Sequence, residues 1–121
     1  MARKPESKQY GMFCPVARTL DLVGDRWTLL ILRDVSLFGP RRFGDFRESL
    51  DGVPPTLLSD RLKRLVAHGL LERQGEGKQV TYAFTERGRE IRPVLRALRD
   101  FGAALMPEGW EQKVPPQVFR R

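Results

Sequence analysis

A chain of 121 residues with 22 Lys and Arg against 15 Asp and Glu has a net charge of +7 and a pI near 10.3. That length suits one domain with a modest core, and the positive balance favours an anionic partner such as nucleic acid, whose neutralised phosphates release counterions. A single cysteine excludes an internal disulfide, and with a single histidine it leaves too little for a His/Cys metal site, so no metal or cofactor is expected. No apolar run approaches a membrane span and Met1-Ala2-Arg3-Lys4-Pro5 lacks a signal-peptide core, so no membrane partner and a cytoplasmic location are expected.

Residues 1–12 are polar and basic and are read as a flexible arm, ahead of a folded region over 13–106 and a tail over 107–121 in which Trp110 and Phe119 are the only anchors. Cys14-Pro15 opens a helix with Val16, Leu20 and Val23 on its apolar side, ending at Gly24. Asp25 caps the next helix, whose Trp27, Leu30, Ile31 and Val35 form one face widened by Leu29 and Leu32, the pattern of a central core helix. Gly39-Pro40 breaks it, and Arg41-Arg42-Phe43 leads to a short helix carrying Phe46 and Leu50.

The turn Asp51-Gly52-Val53-Pro54 precedes the most telling segment. Pro55 suits a first helical position and Gly69 a left-handed closing position, with Leu58, Leu62, Leu65 and Val66 forming an apolar stripe between them. Thr56, Asp60, Lys63 and Arg64 fall on the opposite face. A short helix with an apolar back and a small-polar, basic front fits a DNA major groove. It is followed by Leu70-Leu71-Glu72-Arg73 and Val80-Thr81-Tyr82-Ala83-Phe84 around Gly75-Glu76-Gly77-Lys78, a hairpin pattern. Helix then hairpin is the order of a winged helix-turn-helix, an α+β, mainly helical fold with a two-stranded wing. Thr85 caps a last helix expected from Glu86 to about Met106, kinked at Pro93, with a stripe of Ile91, Val94, Leu95, Leu98, Phe101 and Leu105. That stripe asks for a surface beyond the domain's own core, which a second subunit provides.

Several residue groups together resemble the HxlR-type winged-helix regulators of bacteria: Cys14-Pro15, Gly24-Asp25-Arg26-Trp27, Arg42-Phe43, Leu58-Ser59-Asp60-Arg61-Leu62, Gly69-Leu70-Leu71 with Arg73, Tyr82 with Thr85 and Gly88, and Pro93-Val94-Leu95. The resemblance runs from about Cys14 to Leu105, and its specificity lies in joint order and spacing. It implies a homodimeric DNA-binding transcription regulator in which N- and C-terminal helices both contribute to the dimer, here through Val16 and Leu20 beside the last helix's stripe. Two positions depart from the family pattern. Pro54 stands where a side-chain cap is usual, and the wing segment Gly75-Glu76-Gly77-Lys78-Gln79 is shorter.

On this reading Thr56, Ser59 and Lys63 are the choices for base contact, from the half of the helix that enters the groove first, with Asp60 and Arg64 on the same helix. Arg61 either meets phosphate or braces the fold through Asp60 or Glu48. Arg41 and Arg42 are assigned to phosphate, their plainer reading being a charged loop, and Arg73 and Lys78 flank the wing. Trp27 and Tyr82 are read as structural. Cys14, at a helix N-terminus with Arg18 one turn on, sits in a setting that raises thiol reactivity. Some members of the resembling family sense oxidants or electrophiles through a cysteine here. Its plain role is a small residue closing the helix start. The leading function is a repressor binding a near-palindromic operator, with any small-molecule effector unidentified. The alternative is a winged-helix protein–protein module whose basic face is incidental. An enzyme is the remote reading, since no carboxylate pair, nucleophile–base pair or phosphate loop is legible.

Overall fold

The computed structural model describes residues 13–113, so the arm over 1–12 and the Phe119 anchor lie outside the described residues. Helices α1 (Pro15–Val23), α2 (Arg26–Phe38), α3 (Phe43–Ser49) and α4 (Pro55–Ala67) precede strands β1 (Leu71–Gln74) and β2 (Thr81–Phe84), and α5 (Arg92–Ala103) follows. This is the expected α+β winged helix-turn-helix.

Each helix begins for a local reason. Asp25 accepts from the Thr28 backbone N–H at 3.1 Å and from its hydroxyl at 2.5 Å, capping α2. The Asp45 carboxylate accepts from the Arg42 N–H at 2.9 Å and satisfies a free donor at the start of α3. Helix α4 starts without a side-chain cap, as Pro54 requires, and Pro55 opens it. It closes at Gly69 (φ 78°), where Leu70 N–H reaches Leu65 O and Gly69 N–H reaches Val66 O, both at 3.0 Å. Those paired bonds form a Schellman closure.

The core gathers Ile31, Leu32 and Val35 from α2, Phe46 and Leu50 around α3, Leu58, Leu62 and Leu65 from α4, and Leu71 and Phe84 from the strands. Trp27, Tyr82, Ile91 and Leu95 are partly buried against it. The strands pair antiparallel with Leu71 opposite Phe84 and Arg73 opposite Tyr82. A further backbone bridge joins Arg41 to Tyr82 through bonds of 3.0 and 2.7 Å, so the segment before α3 borders the wing. At the wing tip a Cβ on Gly75 (φ 87°) would lie 2.5 Å from the Gln79 carbonyl oxygen, so the reversal depends on glycine.

Two features of the C-terminal segment correct the sequence reading. The chain forms a 3₁₀ turn over Gly88–Ile91 before α5, which places Pro93 in the first turn of a new helix instead of inside a long kinked one. A first-turn proline sacrifices no helical hydrogen bond, so no kink is needed. Gly88 packs so closely on the preceding chain that a Cβ there would sit 1.9 Å from the Leu70 carbonyl oxygen. The Thr85 hydroxyl donates to Gly69 O at 2.5 Å and accepts from Gly88 N–H at 2.9 Å, pinning this turn to the end of α4. Helix α5 ends at Ala103, so Leu105 and Met106 follow it in a turn.

Candidate nucleic-acid interface

The polar front of α4 divides in two. Thr56, Asp60 and Lys63 are exposed, and Ser59 is half-buried beside them. Arg61 and Arg64 instead turn toward the protein. Arg61 Nη1 pairs with Asp60 at 2.6 Å while its Nε reaches Asp25 Oδ2 at 3.3 Å. Of the sequence's two bracing options Asp60 is used and Glu48 is not; the second partner is the α2 cap. Arg64 Nη2 donates to the Asp21 carbonyl oxygen, tying α4 to α1. Burial alone would raise the Asp25 carboxyl. The Thr28 hydroxyl and N–H, with the Arg61 guanidinium, outweigh it and hold the group below its ordinary value.

A groove of about 560 Å³ separates the start of α3 from the wing, and Arg42, Arg73 and Lys78 all line it. These cations, distant in sequence, share one surface recess. Asp45 and Glu48 line it too, so three cations share the groove with two carboxylates. Arg42 Nε stands 4.0 Å from the half-buried Asp45, and the Arg42 side chain is exposed, a loose pair that leaves the guanidinium accessible.

Arg41 behaves differently, against its assignment to phosphate. Its side chain is only 17% exposed, stacks 4.5 Å from the Phe38 ring centroid, donates to the Asp45 carbonyl at 3.1 Å and lies 3.8 Å from Asp34 Oδ2. The backbone bridge to Tyr82 draws the chain inward, so Arg41 braces the fold. Its partner Asp34 is a residue the sequence reading passed over. The Asp34 carboxylate is buried, takes Arg33 Nε at 3.1 Å and Nη2 at 2.9 Å, and accepts the Ser49 hydroxyl. It stands three residues after Ile31 and next to Val35. A charge on the apolar face of a core helix demands partners, and that was the available signal.

The apolar stripes also divide. Ile91 and Leu95, assigned to a dimer surface, are partly buried against the chain's own core. Val16 and Leu20 on α1, Val94 and Leu98 on α5, and Phe101 and Leu105, each 72% exposed, remain open. Cys14 is half-buried at the start of α1 and its side chain makes no capping bond.

The HxlR-like helix-turn-helix family model matches residues 22–109. An HTH-type transcriptional regulator of Mycobacterium tuberculosis is 42% identical over 95 residues, covering 76% of this chain and 59% of that protein; the chain thus spans under two thirds of that relative's length. PA1607, a candidate transcription factor, superposes with a TM-score of 0.73 at 36% identity, over 84% of this chain and 72% of the other. The quinone-bound YodB of Bacillus subtilis superposes with a TM-score of 0.64 at 30% identity, over 76% and 99% of the two chains. The capped α2, the Schellman-closed α4 and the wing are therefore the parts of a known architecture, and the chain belongs to the HxlR-like helix-turn-helix family.

Proposed function

We propose that this protein is a sequence-specific DNA-binding transcription regulator, acting as a homodimeric repressor on a near-palindromic operator. The observation that carries the reading is the exposed front of α4, with Thr56, Ser59 and Lys63 along it, beside a groove lined by Arg42, Arg73 and Lys78. Side chains on the helix meet base edges in the major groove, and the three flanking cations take phosphates. Asp60 and Arg61 fix the helix's orientation through Asp25, and Arg64 does so through α1. The exposed apolar side chains of α1 and of the α5 region supply the dimer surface, and two-fold symmetry then sets two half-sites about one helical turn, or a multiple, apart.

Selection of bound duplexes from a random library by the purified protein tests this. The expected outcome is an enriched inverted repeat. A pool without sequence preference favours the protein-interaction module instead.

A second reading concerns Cys14. The likeness to the quinone-bound YodB supports reading this chain's only thiol as the residue through which an electrophile acts. Addition of the sulfur to a quinone forms a C–S bond and leaves a hydroquinone carrying the thiol's proton. Because α1 bears on α4 through Asp21 and Arg64, a displaced α1 would shift the DNA-reading helix.

A further inference from the structure

Helices α2 and α5 enclose an open cleft of about 550 Å³, built from different elements than the groove beside the wing. Its volume is that of a small-molecule site. Leu29, Leu30 and Leu37 of α2 face Leu95 and Leu98 of α5 across it, giving an apolar floor. The charged lining consists of Arg33, Arg92, Arg96 and Arg99, with no carboxylate among the lining residues. An apolar floor under a rim of guanidinium groups has a definite chemical complement.

These arginines are not equally committed. Arg33 holds Asp34 and Arg99 holds Asp100, each the next residue in the chain. Arg92 stacks 5.5 Å from the Phe84 ring centroid, a contact that leaves its guanidinium edge for an acceptor. Arg96, one turn further along α5, enters no ion pair among the described residues. Like charges at that spacing repel, and a bridging anion turns the repulsion into two charge-assisted hydrogen bonds.

We propose that this cleft binds a small organic anion with an apolar body, its carboxylate held by Arg92 and Arg96 and its body laid over the leucines between α2 and α5. Such a ligand fixes the angle between α5 and the core helix. Leu98 lines the cleft and belongs to the exposed stripe as well, so ligand and dimer surface share a border.

The test is titration of the 121-residue chain with 4-phenylbutyrate and, separately, with its uncharged amide, followed through leucine methyl NMR shifts at constant ionic strength. Binding is read without DNA, so its failure leaves the DNA-binding reading untouched. The expected result is saturable shifts at Leu30, Leu37 and Leu95, with the amide about tenfold or more weaker. Arg96→Gln should weaken the acid several-fold toward the level of the amide and leave the amide unchanged, while Arg96→Lys should retain more of the discrimination. Arg96 is exposed, so folding of the variants is not at issue. Equal binding of acid and amide, shifts located elsewhere, or no saturation in the millimolar range would overturn the proposal. So would shifts that follow protein concentration rather than ligand, which would place a second copy of the chain in the cleft.

Discussion

Arg61 of α4 and Asp25 at the cap of α2 lie 36 residues apart in sequence, with Nε and Oδ2 at 3.3 Å. One carboxylate thus caps the central core helix and holds the helix proposed to read DNA. Asp25→Ala should cost about 1 kcal/mol through the lost cap alone. Asp25→Asn keeps a capping oxygen but loses the charge. Since the folded-state carboxyl titrates below its unfolded value, its stabilisation is present above about pH 4 and is lost as pH falls through the lowered value. Urea unfolding should therefore show wild type and Asp25→Asn differing most near neutrality and converging below about pH 4.

Asp34 should be among the least replaceable polar residues. Asp34→Ala strips the half-buried Arg41 guanidinium and the Ser49 hydroxyl of a shared partner, and should cost about 3 kcal/mol, the lower end for breaking a buried pair. Ser49→Ala removes one neutral donor and should cost about 1–2 kcal/mol. Denaturant midpoints of the two variants give the comparison, and similar values would mean the carboxylate reaches water.

Gly88 and Gly44 should respond in opposite directions to alanine. At Gly88 the new Cβ meets the Leu70 carbonyl, and the backbone shift this forces costs about 1–3 kcal/mol or more. Gly44 lies in α3, where an added methyl would have nothing within 4 Å, so Gly44→Ala should stabilise by about 0.5–1 kcal/mol. Thermal melts of both decide it.

Phe101→Glu should separate the proposed dimer without unfolding the subunit, because the ring is 72% exposed in the single chain. Sedimentation should show a monomer with an unchanged far-UV spectrum. Leu95→Glu, at a residue partly buried against the core, should instead lower the melting temperature.

The contrast between Phe101 and Leu95 shows where the sequence was legible and where it was not. Periodicity placed both on one stripe, since it reports the apolar face of a helix and not which neighbour covers it. The capped α2, the Pro55-to-Gly69 helix and the hairpin were readable because each carries local chemistry: a capping carboxylate, a first-turn proline, a left-handed glycine. The 3₁₀ turn at Gly88–Ile91 was hidden because it depends on contact with Leu70, a residue distant in sequence. For the same reason Arg41 and Arg42 looked alike in sequence, and the Tyr82 bridge buried one while leaving the other in the groove. Asp34 was visible as a charge on an apolar face, but only Arg33 among its partners is a sequence neighbour; Ser49 comes from α3 and Arg41 from the segment that borders the wing.

If the α4 front reads sequence while the groove beside the wing holds phosphates, the two sets of side chains must differ in their dependence on sequence and on salt. The most direct measurement is the affinity of wild type, Lys63→Ala and Arg42→Ala for a selected duplex and a scrambled one across a salt series. Lys63→Ala should lose about 1–3 kcal/mol on the selected duplex and much less on the scrambled one. Arg42→Ala should weaken both and flatten the salt slope by about one unit. Equal losses on both duplexes for both variants, with no change in salt slope, would contradict that division of roles.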